Sequence, residues 1–551
     1  MIVLFLSSLL SLFLFIVFGV YATRTIKARC NFVEIVLVGL VVTNTITTCL
    51  SLFFKINIFV LILLTLSCSF LVLLKPKEFR VPITLLNEKR RVILYTLPFA
   101  LLAFIISLND PSNYDTGLYH LQAIKWIEEF AVVPGLANLH GRFGFNPNIF
   151  TLFALTSIPV ILKQEIFSVN FTIFIVIVYY FVDKLYLLFK YRGFSESFVV
   201  YFIVFSAILK LSYNLPTPSP DFLSTIITLY IFMRMYDLSD QKDGVEFRNH
   251  IPILILCVYI VTVKLATLPI LLLSLLIFVR YKPKLRKSLR LLSALGLIIV
   301  PWLVRNVILT GWLIYPFPSL NLFSFDWQVP LGNVILEKDA VRGWARNPGI
   351  GYIDVANTNL VAWFPIWWQR LSLLNKILLV ASLSFPSILL IGQALQIVKA
   401  SLIKNAITTT SFVGVLFWLV MAPAWRLGIS FIAVASIAPL LFLRFYWLPP
   451  YKAHTIFTAI VIVLIGCFAG GNYSAVGRGI YDTVYSNRAI IPKRINIPSG
   501  INFKIYDING MDVYIPTEDD RCFDHNIPCT PYPDTMLKLR GNTLESGFRR
   551  E

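Results

Sequence analysis

The sequence predicts an all-α polytopic membrane protein of about 14 transmembrane helices, with a small C-terminal extracytoplasmic domain containing β-structure. Three observations predict it. The nine most apolar residue types make up 57% of the 551 residues and charged types only 14%. The apolar residues gather in runs near the length that spans a bilayer. The basic residues sit in short loops between those runs.

The same numbers exclude other classes. A soluble multidomain enzyme carries far more charge, and a disordered chain lacks the hydrophobicity. The net charge of +19 reads as a topology signal at a membrane surface. It is not a footprint for nucleic acid, and none is expected as a partner.

In chain order the runs lie near 1–22, 32–54, 56–74, 91–107, 166–189, 197–213, 221–236, 250–264, 266–280, 291–311, 371–398, 407–424, 428–446 and 453–470. The first has no basic residue before it and is too long for a signal-peptide core, so it reads as a retained anchor. Basic residues follow alternate runs: Arg24, Lys27 and Arg29; Lys75 to Arg91; Lys190 and Arg192; Lys282 to Arg290; Lys399 and Lys404; Arg444 and Lys452. They share one side if the N-terminus is outside. The mildly acidic loop 237–249 is the exception. The stretch 149–162 keeps this parity only as a helix that does not cross, and an interfacial helix is expected there.

The organisation is therefore N-terminal helices over 1–90, a transmembrane core over 91–470 with outer loops 108–165 and 312–370, and a tail over 471–551. The expected location is a bacterial cytoplasmic membrane, multi-pass, with the tail extracytoplasmic. Within the tail, Asn509-Gly510 between β-rich flanks predicts a hairpin with a type I′ turn. Outside the cytoplasm Cys522 and Cys529 pair as a disulfide; free thiols are the other reading. The remaining five cysteines lie in or beside apolar runs and read as inert. No Cys/His cluster has zinc spacing, and there is no Walker, GxGxxG or GxSxG motif.

The most informative stretch is Leu108-Asn-Asp-Pro-Ser-Asn-Tyr-Asp-Thr-Gly-Leu-Tyr-His-Leu-Gln122, just beyond the fourth run. It brings Asp110, Asp115, Tyr119 and His120 to the outer surface together. Leu118, Leu121, Ile124 and Ile127 continue it as an amphipathic, interfacial helix. Asp115 has two readings that coexist: an N-cap of that helix, or a partly desolvated carboxylate acting as general base. Asp221 ends the proline-rich turn 214–221 and is either a cap or a second acidic site residue.

Five cations stand out as phosphate partners. Lys264 sits at membrane depth, where it either pairs with an anion or snorkels. Arg426 lies between two runs on the outer side, and its planar fork suits a phosphate. Arg305 is a weaker candidate for the same cavity. Arg342 and Arg346, four apart, face one anion if helical. The six Trp of 312–370 read mostly as an interfacial belt.

A long first outer loop carrying Tyr114-Asp-x-x-x-Tyr-His120 resembles the GT-C superfamily of integral-membrane glycosyltransferases, over roughly 91–446 by the usual span rule. The resemblance implies an acidic base in the first outer loop, here Asp115 with Asp110 and His120 beside it. It implies a sugar on a polyprenyl phosphate as donor, a glycan or lipid as acceptor, and no separate cofactor. Tyr119, Asp221, Lys264, Arg305, Arg342, Arg346 and Arg426 would bind substrate, and no metal is expected. Three runs precede the one that leads into the loop, where the superfamily pattern has that one alone. Over nearly its full length, and notably in Cys522-Phe-Asp-His-Asn-Ile-Pro-Cys-Thr-Pro-Tyr532 and Leu537-Lys-Leu-Arg-Gly541, the chain is also similar to an uncharacterised family of bacterial polytopic proteins. The alternative function is a transporter or flippase of a lipid-linked oligosaccharide or other polar lipid. Transporters usually show repeated halves and midplane charges, and no repeat is evident here.

Overall fold

A computed structural model describes residues 2–79, 89–111, 113–157, 167–240, 245–349, 351–396, 398, 401–445, 453–485 and 501–550. Residues 158–162 and the loop residues Arg80, Lys242, Asp243, Lys399 and Lys452 lie outside the described residues.

The chain folds as a helical bundle with a small β-containing tail. Among the described residues nine helices are long and apolar enough to cross a membrane. Four more apolar helices are shorter: Ile58–Leu74, Phe247–Val263, Leu265–Tyr281 and Trp425–Ser436. Helix Pro220–Asp240 is longer than these, but it carries Asp221, Arg234, Asp237 and Asp240 and is too polar to count by composition. The count of about 14 expected from the sequence is thus nine on length and composition together. Lipid-facing surfaces remain apolar, as at Leu63, Leu66, Phe70 and Leu73. The interior is a continuous packed core.

Capping explains where helices begin. Asn31 accepts a hydrogen bond from the backbone N–H of Glu34, and Glu34 accepts one from Asn31 in return, starting helix Phe32–Ser51. Pro220 opens its helix at a position where the missing N–H costs nothing. Helix Phe247–Val263 ends at Lys264, whose backbone is extended, and a tight turn over Leu265–Ile270 follows before the next helix.

Two stretches expected at the interface are interior instead. Every residue of helix Phe150–Ser157 is buried. It packs on Phe32–Ser51, Leu121–Glu129 and Ser168–Arg192. Helix Leu121–Glu129 buries Leu121, Gln122, Ile124, Trp126, Ile127 and Glu128. Part of its polar face meets the tail, while Glu129 stays exposed. Gln122 donates to the carbonyls of Phe523 and His525 at 3.0 and 2.8 Å, and Lys125 pairs with Asp524 at 3.0 Å.

In the tail, strands Phe503–Asp507 and Asp512–Pro516 pair antiparallel from Phe503↔Pro516 to Asp507↔Asp512. Asn509 and Gly510 both have positive φ, 53° and 82°, as a type I′ turn requires. Cys522 and Cys529 form a disulfide. The loop it closes rests on the 108–148 segment: the Phe523 N–H donates to the Gly117 carbonyl at 2.8 Å. A Cβ on Gly117 would sit 2.7 Å from the Phe523 ring, so only glycine allows this approach.

Candidate functional site

Asp115 precedes a π-helical turn, Thr116–His120, that leads into helix Leu121–Glu129. Wide turns of this kind are rare and tend to occur at functional sites. Asp115 has helical backbone angles and makes no side-chain cap. Its carboxylate is free of backbone duty and turns to cations. Arg426 lies 2.6 Å from Oδ2 and Arg142 lies 3.4 Å from Oδ1.

Asp221 stands in the first turn of its helix, with its own N–H bonded by Ser219. Its carboxylate reaches Lys264 at 2.6 Å and Arg426 at 3.4 Å. Arg426 is therefore shared between the two acids. Arg142 extends the chain to Glu337 at 3.6 Å. Three carboxylates and three cations alternate through five separated segments. The helix break at Lys264 delivers one of them, and the Ala422–Ala424 connection before Trp425 delivers Arg426.

Exposure is uneven. The side chains of Asp115 and Asp221 are 11% exposed, whereas Arg426 is 46% exposed. Burial alone would raise the Asp115 carboxyl. Arg426 first, with Arg142 and Lys264, outweighs it and holds the group below the usual carboxylate range. Asp115 is an anion at neutral pH. The buried His120 ring meets Tyr119 and Phe150 edge-to-face, and its Nδ1 is 3.4 Å from the Thr116 hydroxyl. Burial lowers it to about 3, so it is neutral.

Beside the charges opens a cavity of about 430 Å³, lined among others by Tyr119, Lys264, Trp302, Arg342, Trp418 and Leu427. Its walls are mostly aromatic and aliphatic, with cations at Lys264, Lys338 and Arg342. An apolar slot with a few convergent polar groups is the ordinary form of a small-molecule or lipid site.

The structure thus gathers Asp115, Tyr119, Asp221, Lys264, Arg342 and Arg426 on the charge cluster or its cavity. Asp110 is exposed at the end of helix Arg90–Ser107. Arg305 is buried elsewhere, donating to Asn146 and Ser51 at 2.9 Å each. Arg346 does not share an anion with Arg342. It donates to the carbonyls of Val355, Ala356 and Thr358 and stacks on Trp363. Of the six tryptophans, Trp312, Trp363 and Trp367 are buried in packing, and only Trp344 is strongly exposed. Sequence reasoning missed Arg142 and Glu337. The flanking Gly141 and Gly144 could have marked Arg142; nothing in its surroundings marks Glu337.

A family model described as a domain of unknown function, DUF8201, matches residues 1–433. The chain belongs to this family. The match takes in Asp115, Arg142, Asp221, Lys264, Glu337 and Arg426, and it ends before the disulfide-bearing tail. No curated protein and no solved structure matches the chain.

Proposed function

We propose that this multi-pass protein is a GT-C-type glycosyltransferase, moving a sugar from a polyprenyl-phosphate donor to a glycan or lipid acceptor at the outer face of the membrane. The single observation that carries the reading is Arg426 shared by Asp115 and Asp221, with Lys264, the other partner of Asp221, lining the 430 Å³ cavity. A donor of this kind needs an apolar slot for its chain, cations for its phosphate and a carboxylate near the sugar. All three adjoin here.

The chemistry follows from the geometry. With Arg426 and Lys264 engaged on the donor phosphate, Asp115 loses its nearest counter-charge and its proton affinity rises. The acceptor hydroxyl oxygen then attacks the anomeric carbon, and its proton passes to Asp115. The bond from that carbon to the phosphate oxygen breaks, and its electron pair leaves with the polyprenyl phosphate. Arg426 and Lys264 stabilise the growing phosphate charge. Direct displacement inverts the anomeric centre. The Cys522–Cys529 disulfide supports an oxidising side for the tail and for the loop it rests on.

Mass spectrometry of lipids copurifying with the protein tests this reading. The expected species is a polyprenyl phosphate, alone or glycosylated, depleted in an Arg426→Gln variant. Recovery of ordinary phospholipids only, equal in both proteins, counts against it.

A further inference from the structure

One buried charge has no counter-charge. Arg305 is 4% exposed. Its Nε donates to the Asn146 side-chain oxygen and its Nη1 to the Ser51 hydroxyl, both at 2.9 Å. Both acceptors are neutral. Among the described residues no carboxylate forms an ion pair with it. A buried guanidinium without an anion is costly, because neutral dipoles replace only part of its hydration.

Its surroundings make the imbalance larger. Arg305 lines a small void of about 10 Å³ together with Arg142, Asn146, Phe143, Phe150 and Leu309. Asp115, Asp221 and Glu337 already balance Arg142, Arg426 and Lys264. Arg305 is a fourth cation beside three matched pairs, and it lines the same void as Arg142. Asn146 is fixed in place: its side-chain N–H donates to Asn306 at 2.7 Å and its carbonyl accepts from the Trp302 indole at 3.0 Å. That leaves its oxygen for Arg305 and gives neither arginine a negative partner.

We propose that this void holds one monovalent, monatomic anion, a halide, between Arg305 and Arg142. The volume is about that of a single water site, and chloride is only a little wider than water. A phosphate or carboxylate ligand would not fit. Water fits but brings no charge. Arg305 has only neutral partners, so its charge attracts an anion, and Arg142 at the same void adds to the pull although Asp115 and Glu337 already partner it. The halide balances Arg305 and leaves Arg142 free to hold Asp115 and Glu337. The site is separate from the 430 Å³ cavity and does not depend on glycosyl transfer.

The test uses the full chain in detergent, with sodium chloride, sodium bromide or sodium gluconate at equal ionic strength. The melting temperature should rise saturably with chloride and with bromide but not with gluconate. Arg305→Met should lose that dependence, and Arg305→Lys should keep part of it. Should either variant fail to fold, bromide soaked into the unaltered protein decides the matter, through an anomalous scattering peak between residues 142 and 305. Equal melting temperatures in chloride and gluconate would overturn the proposal. So would a void that holds density without a bromide signal, the mark of a bound water.

Discussion

Helix Pro220–Asp240 carries a charge network at each end, and the two differ in kind. At its last turns Arg234 meets Glu34 at 2.7 Å and Asp237 at 2.6 Å, and Asp237 meets Lys184 at 2.6 Å. Glu34 is fully buried and is also half of a capping box. Each group there is committed, and Arg234 is only 8% exposed. At the first turn Asp221 shares Arg426 with Asp115, and that arginine is half exposed beside a cavity. The two sites lie about 20 Å apart by helical rise. A closed network specifies how helices dock. An open one, with a cation able to change partners, can work on a ligand.

The contrast makes ranked predictions. The largest effect belongs to the closed end. Arg234→Met strands Glu34 and should lower stability by about 3–5 kcal/mol, read as a fall in melting temperature. The matching change at the open end, Arg426→Lys, keeps a charge but loses the fork that spans two acids. Sugar transfer should fall about a hundredfold with the fold retained. If instead Arg426→Lys unfolds the protein as Arg234→Met does, the distinction between the ends fails.

Opening the tail loop comes next. Replacing Cys522 and Cys529 together by Ser should cost about 2 kcal/mol locally. Amide exchange should rise first in residues 114–129, where Gly117 and Gln122 hold the loop, and leave the Arg234 end unchanged.

The last prediction is a pH dependence. Glu128 is buried against Ser157, and burial pushes its carboxyl up to about 8. Its folded value lies above its unfolded one, so the folded state favours the neutral acid. Stability is fully present below the unfolded value near 4.5, falls as pH rises toward 8, and is flat beyond. Glu128→Gln should therefore raise the melting temperature at pH 8 and change it little at pH 4.

Much of this was legible in the sequence, for reasons that differ by feature. Apolar runs mark helices because lipid demands an internally bonded backbone. Asn509-Gly510 marks its turn because both residues need positive φ. Asp115, Asp221, Lys264 and Arg426 stood out because charge beside apolar runs is rare. Arg142 and Glu337 did not: they lie in the helical turn Gly141–Phe145 and in helix Leu331–Arg346, and they acquire meaning only by meeting. Helix Leu121–Glu129 has an amphipathic pattern that cannot tell lipid from protein as its apolar neighbour, or water from a tail some 400 residues away as its polar one. Arg346, four residues from Arg342, was lost to local carbonyls that no spacing reveals. The acidic exception at 237–249 gains a partial reason: Asp237 belongs to the buried network, not to a loop.

The most direct test of the central claim is sugar transfer by the purified Asp115→Asn protein, with a polyprenyl-phosphate sugar as donor. The amide keeps the shape but cannot take a proton. Transfer should fall about a hundred- to ten-thousandfold while the protein stays folded and still retains the donor lipid. Transfer at the unaltered rate would contradict the account, because Asp115 would then be only a partner for Arg426.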